Sequence, residues 1–215
     1  MKLAVLSESP ADEEAILILA EAILGCRVDL ARSPVLRTRG WQSVLISAET
    51  TLRFLHYSSD ADGLIVTLDS DESPVHHPGH AEGHSEAARC RLCQLQAAID
   101  RVQATLRPRQ GRGPIRTAIG LAVPAIEAWY LVGADPHVTE AAWPRELQRS
   151  KLPYTKRSLK QRVYGTDRPS LVLEMQRATQ AVRRLVEEGK LPQLESLFPN
   201  GFGLMANTLR QWKTL

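Results

Sequence analysis

Asp69 and Asp71 are the residues best suited to chemistry, and they close the stretch 62–72, DGLIVTLDSDE. Residues i and i+2 of an extended segment point the same way, so the two carboxylates can converge on one point. Close carboxylates repel, and one pKa rises unless a cation neutralises them. A divalent, oxygen-loving ion such as Mg²⁺ or Mn²⁺ suits a site of few carboxylates, waters and phosphate. A solvated acidic turn is the plainer alternative, because Asp, Ser and Glu are ordinary loop residues.

The elements that must position this pair follow from the apolar pattern. Leu64, Ile65, Val66 and Leu68 form an uninterrupted run, as in a parallel strand covered on both faces. Such strands carry ligands at their carboxyl ends. Residues 2–7 predict an earlier strand followed at once by Glu8. Ser9, Pro10 and Asp12 then supply an N-cap, a first-turn proline and a capping-box-like acid for a helix ending at Gly25. Glu8 thus occupies the same kind of junction as Asp69, although a carboxylate there could equally serve the helix dipole. A strand over 26–31 and a helix over 41–57 complete a β-α-β-α-β order, which predicts right-handed crossovers and a parallel sheet. A fourth strand over 116–123 leads to Pro124 at a helix start. Glu127 then lies one turn in, either at the site or as a dipole partner.

This order of acids resembles the TOPRIM domain of primases, topoisomerases and OLD-type nucleases, with Glu8 after the first strand and Asp69-Ser70-Asp71 after the third. Ile126-Glu127-Ala128-Trp129 is similar to the signature of a TOPRIM-like family of bacterial proteins of unsettled function. The resemblance implies a Rossmann-like α/β core over 1–135 with a basic, mainly helical extension over 136–215. It also implies Mg²⁺ (or Mn²⁺) held by Glu8, Asp69 and Asp71, with Glu127 completing the catalytic set, and phosphodiester hydrolysis in bacterial defence beside a partner ATPase. The alternatives are a non-catalytic subunit binding nucleic acid or an ATPase partner, and a small-molecule phosphohydrolase. The helical lysine or arginine of some TOPRIM nucleases has no evident counterpart.

Two further features stand apart. His76, His77, His80 and His84 precede Cys90-Arg91-Leu92-Cys93 within an expected helix over 85–106. A zinc site from His80, His84, Cys90 and Cys93 is one reading. With no second cysteine pair, a flexible or substrate-facing loop not needed for folding is the preferred one. Residues 1–100 carry 8 Lys/Arg against 15 Asp/Glu, and the remainder 19 against 9. A basic second half beside an acidic site suggests phosphate-backbone contact. Its candidates are Arg149, Lys151, Lys156, Arg157 and Lys160, with Tyr154 and Tyr164 available to stack on bases. The usual fate of such a run is a solvated face. A 43% hydrophobic, 24% charged composition is that of a globular chain. No apolar run could span a membrane, and three cysteines favour a reducing cytoplasm. Oligomeric state is not legible.

Overall fold

The structure is a computed structural model and describes residues 1–33, 40–82, 86–108, 111, 113–143 and 154–214. Its centre is a parallel sheet of β1 (Lys2–Leu6), β2 (Asp29–Leu30), β3 (Gly63–Asp69) and β4 (Arg116–Ala122), ordered β2-β1-β3-β4. β3 is buried along nearly its whole length, as its unbroken apolar run requires. β2 is shorter than expected: only two residues pair, both exposed, at the edge of the sheet.

Alternation along the strands divides the core into two layers. Leu3, Val5 and Ile65 face α1 (Glu13–Leu24), whereas Ala4, Leu6, Leu64 and Val66 face α2 (Gly40–Ser58) and α3 (Arg91–Gln103). One helix cannot cover the first face, and the second half of the chain completes it. After a short helical turn, α4 (Glu127–Tyr130), and α5 (Lys156–Tyr164), the helix α6 (Leu171–Glu187) buries Ala178, Val182 and Leu185 beside α1. Then α7 (Leu191–Leu197) leads into α8 (Leu204–Gln211), which sets Met205, Ala206 and Leu209 under β4. Each fully buried Leu or Val contributes about 1.5–3 kcal/mol, so residues after 135 belong to the same core as the strands. The turn Pro199–Gly203 between α7 and α8 presses on β4 so closely that a Cβ on Gly201 would lie 2.0 Å from the Leu121 carbonyl oxygen.

The strand order matters for function. The chain leaves β1 for β2 on one side and returns through α2 to β3 on the other. The direction of connection therefore reverses between β1 and β3, and open α/β sheets bind ligands in the crevice such a reversal creates at the strands' carboxyl ends. Glu8 follows the first of those strands and Asp69 is the last residue of the second. No helix among the described residues is long and apolar enough to cross a membrane.

Candidate functional site

At this crevice Glu8 Oε1 accepts the Asp69 backbone N–H at 2.9 Å, tying the ends of β1 and β3 together. Asp69 Oδ1 accepts the Ile126 N–H at 2.9 Å, which brings the end of β4 into the same knot. Asp71 is not part of an extended segment. β3 ends at Asp69, and Asp71 has φ of 48°, a left-handed conformation that Asp tolerates better than most residues. Hydrogen bonds from Ser70 N–H to Ala122 O (2.7 Å) and Asp71 N–H to Pro124 O (2.9 Å) hold this turn against the end of β4. The two aspartates meet through a shared cation rather than through strand alternation.

That cation is Lys156. Its ammonium lies 2.8 Å from Asp69 Oδ2 and also pairs with Asp71 Oδ1. Thr155 and Ser158 form a capping box that fixes the start of α5, and with it the placement of Lys156 at the first helical position. One turn on, Lys160 lies 3.2 Å from Glu174 and 3.8 Å from Glu127. Tyr164 is buried on the same helical face, near Glu127. From α3, Arg91 donates to Asp69 O at 2.6 Å and Asp71 Oδ2 at 2.5 Å, and stacks over Trp41. Beneath them, buried Asp12 accepts the Tyr130 hydroxyl at 2.9 Å.

Among the described residues, six carboxylates (Glu8, Asp12, Asp69, Asp71, Glu127, Glu174) thus face three cations (Arg91, Lys156, Lys160). Their protonation reflects that excess. Burial, reinforced by Asp69, raises both Glu8 and Glu127 to about 7. Burial and then Glu127 and Asp69 push Asp12 well above the carboxylate range, and burial raises Asp69 against the pull of Lys156. Asp71 moves the other way: burial opposes it, but hydrogen bonds from Lys156 and Arg91 win and lower it. Desolvation works against Lys156, yet the two aspartates outweigh it and hold the ammonium charged.

The helix expected from Pro124 begins only at Glu127, because Pro124 and Ala125 shape the turn that receives Asp71 and Asp69. Within Ile126–Trp129, the Ile126 N–H serves Asp69 and Glu127 faces the lysines. Trp129 fills the core edge-on to Phe202, 5.2 Å between ring centroids. Of the basic residues expected on a phosphate-binding surface, Lys156 and Lys160 instead line the carboxylate crevice. Arg157 is outside it, paired with Asp167 at 2.5 Å. Arg149 and Lys151 lie outside the described residues. Tyr154 and Tyr164 are buried, with the Tyr154 hydroxyl donated to Thr139 O, so neither ring can stack on a base. Sequence reasoning passed over Asp12, Glu174 and Arg91. It also missed that Lys156, Lys160 and Tyr164 recur every four residues on one helical face.

The histidines and cysteines form a second constellation. Cys90 is not inside the helix but caps it in an extended conformation, and α3 starts at Arg91. This turns Cys90 Sγ to 3.7 Å from His76 Nδ1, while Cys93 Sγ lies 3.4 Å from His76 Nδ1 and 3.6 Å from His80 Nδ1. All four ligand atoms fall within 4.8 Å of one another, close enough to hold one metal ion. The loop reading therefore gives way to a converging His₂Cys₂ group containing His76. His84 lies outside the described residues. The carboxylates do not gather to that degree, because Lys156 stands between Asp69 and Asp71.

No family model matches the chain, and no curated protein or solved structure is significantly similar to it.

Proposed function

We propose that the crevice hydrolyses phosphodiester bonds of nucleic acid with Mg²⁺ or Mn²⁺, as a TOPRIM-like site. The observation that carries this reading is the excess of carboxylates over cations at the β1/β3 reversal, which leaves several acids protonated unless more positive charge arrives. Glu8, Asp69 and Asp71 offer the hard oxygen donors that these ions take, and they would hold the metal. A bound Mg²⁺ or Mn²⁺ supplies Lewis acidity toward the phosphate and a water of lowered pKa. Glu127, held at about 7, is matched to taking a proton at its carboxylate near neutral pH. Lys156 compensates Asp69 and Asp71 in the metal-free protein; with those carboxylates engaged by an ion, its ammonium is available to a phosphate oxygen, beside Arg91.

The cleft holding Glu8, Glu127, Lys156 and Lys160 measures about 220 Å³. Sites that enclose drug-sized ligands span roughly 300–1,000 Å³, so the cleft has room for a single phosphate group and its immediate substituents. The same helices present Arg162, Arg177, Arg183 and Arg184 along a separate groove that Glu14 and Glu187 also line; Arg162 pairs there with Asp135 and Arg183 with Glu14, pairs that a polyanion would have to displace. The resemblance extends the proposal to bacterial defence with a partner ATPase. A second reading, a non-catalytic subunit binding nucleic acid or an ATPase partner, draws on the fact that Lys156, Arg91 and Ile126 already engage Asp69 and Asp71. Incubation with single-stranded and duplex DNA and RNA in Mg²⁺ or Mn²⁺ separates them. Cleavage by the wild type that Asp69→Asn abolishes supports the enzyme. Binding without cleavage of any substrate supports the subunit.

A further inference from the structure

We propose that His76, His80, Cys90 and Cys93 hold a structural Zn²⁺ that fastens the segment after β3 to the start of α3 and thereby fixes Arg91 at the carboxylates. The metal assignment stands on its own geometry and does not depend on what the carboxylates do.

Zn–S and Zn–N bonds of about 2.3 and 2.0–2.1 Å at tetrahedral angles place sulfur and nitrogen about 3.5 Å apart. The three sulfur–nitrogen separations here are 3.4, 3.6 and 3.7 Å. The contacts also converge on one centre instead of pairing off, with Cys93 Sγ near two imidazoles and His76 Nδ1 near two sulfurs, and all four ligand atoms lie within 4.8 Å of one another. Both histidines present the same ring nitrogen to the shared centre. His77 is not in the group, and its Nδ1 accepts the Gly79 N–H within the same loop. Two thiolates with two imidazoles in a closed tetrahedron is a structural zinc set, and the softness of sulfur argues against Mg²⁺ or Mn²⁺ there.

The placement gives the ion its role. Residues 74–77 have no regular secondary structure and pack on the core through Val75, so a metal tie adds to that packing in offsetting the entropy of ordering them. Cys90 and Cys93 flank Arg91, whose guanidinium reaches Asp69 O and Asp71 Oδ2. A metal tied to both cysteines sets the first turn of α3 and hence the direction of that arginine, while His76 and His80 tether the chain leaving Asp71. Arg91 is in this sense positioned from behind.

The test uses the full chain expressed with zinc available. Elemental analysis should find one zinc per chain, and Co²⁺ exchanged into it should show the d–d bands of a tetrahedral ion with a thiolate charge-transfer band. Cys93→Ser and His76→Ala should each lose the metal, whereas His84→Ala should keep it. Removing zinc from wild type should speed hydrogen exchange across residues 70–95 and leave β1 and α1 unchanged. Absence of stoichiometric zinc together with no Co²⁺ spectrum overturns the site, as does zinc that survives both ligand substitutions. Stoichiometric zinc whose removal leaves exchange around Arg91 unchanged overturns the positioning role. Where Cys93→Ser fails to fold, the wild-type cobalt spectrum and exchange data still decide.

Discussion

Replacing Glu127 with Gln keeps the side chain's shape and removes its titration. The wild-type carboxyl is raised from 4.5 to about 7, chiefly by burial and then by Asp69, with Lys160 and Lys156 opposing. Between those pH values the folded chain retains a proton that the unfolded chain has released. Stability therefore falls as pH rises through the window, and the loss is complete above the folded value. At about 1.4 kcal/mol per pH unit, ionising Glu127 costs the metal-free fold about 3 kcal/mol by pH 8. Asp12, Tyr164 and Lys160 feel the Glu127 charge, so the difference between the two proteins reports Glu127 together with the groups it shifts. Urea denaturation in chelator should show Glu127→Gln gaining about 3 kcal/mol on wild type between pH 4 and pH 8. A gap that is flat with pH, or that narrows, would refute the raised carboxyl and with it the crowding of acids at the crevice.

Asp71→Asn should act in the opposite sense. Its lowered carboxyl contributes stability above its ordinary value of 3.8, so the variant should unfold more easily at pH 7 and the deficit should shrink as pH drops below that value, by urea titration. Tyr130→Phe leaves buried Asp12 without its hydroxyl partner and should cost about 1–3 kcal/mol by the same method. Gly201→Ala drives a Cβ into the Leu121 carbonyl, 2.0 Å away with backbone on both sides, and should cost about 3 kcal/mol or more, seen as a clear fall in Tm.

The parallel sheet and the meeting of Glu8 with Asp69 were legible because burial on both faces writes an unbroken apolar run, and because both acids directly follow such runs. What surrounds them was not. Lys156 comes from a helix 87 positions after Asp69, and no local pattern states which carboxylate a distant lysine will find. The Asp71 turn was misread as extended since Asp-Ser-Asp suits either backbone, and the choice is made by the carbonyls of Ala122 and Pro124. Cys90 was placed within a helix on apolar spacing. The extended cap that turns its sulfur toward His76 is a tertiary decision. Tyr154 and Tyr164 show the same limit: a tyrosine among basic residues reads as exposed until its packing is known.

Direct titration of Mn²⁺ into the protein with the His₂Cys₂ group already loaded with zinc, followed by the electron paramagnetic resonance signal of free Mn²⁺, tests the metal-dependent crevice most directly. Saturable binding that Mg²⁺ displaces, that Asp69→Asn and Asp71→Asn abolish, and that Lys156→Gln strengthens by removing the competing ammonium is the expected result. A free-ion signal that rises linearly from the first addition, identical in wild type and variants, would contradict the account and leave Lys156 as the permanent counter-ion of a non-catalytic site.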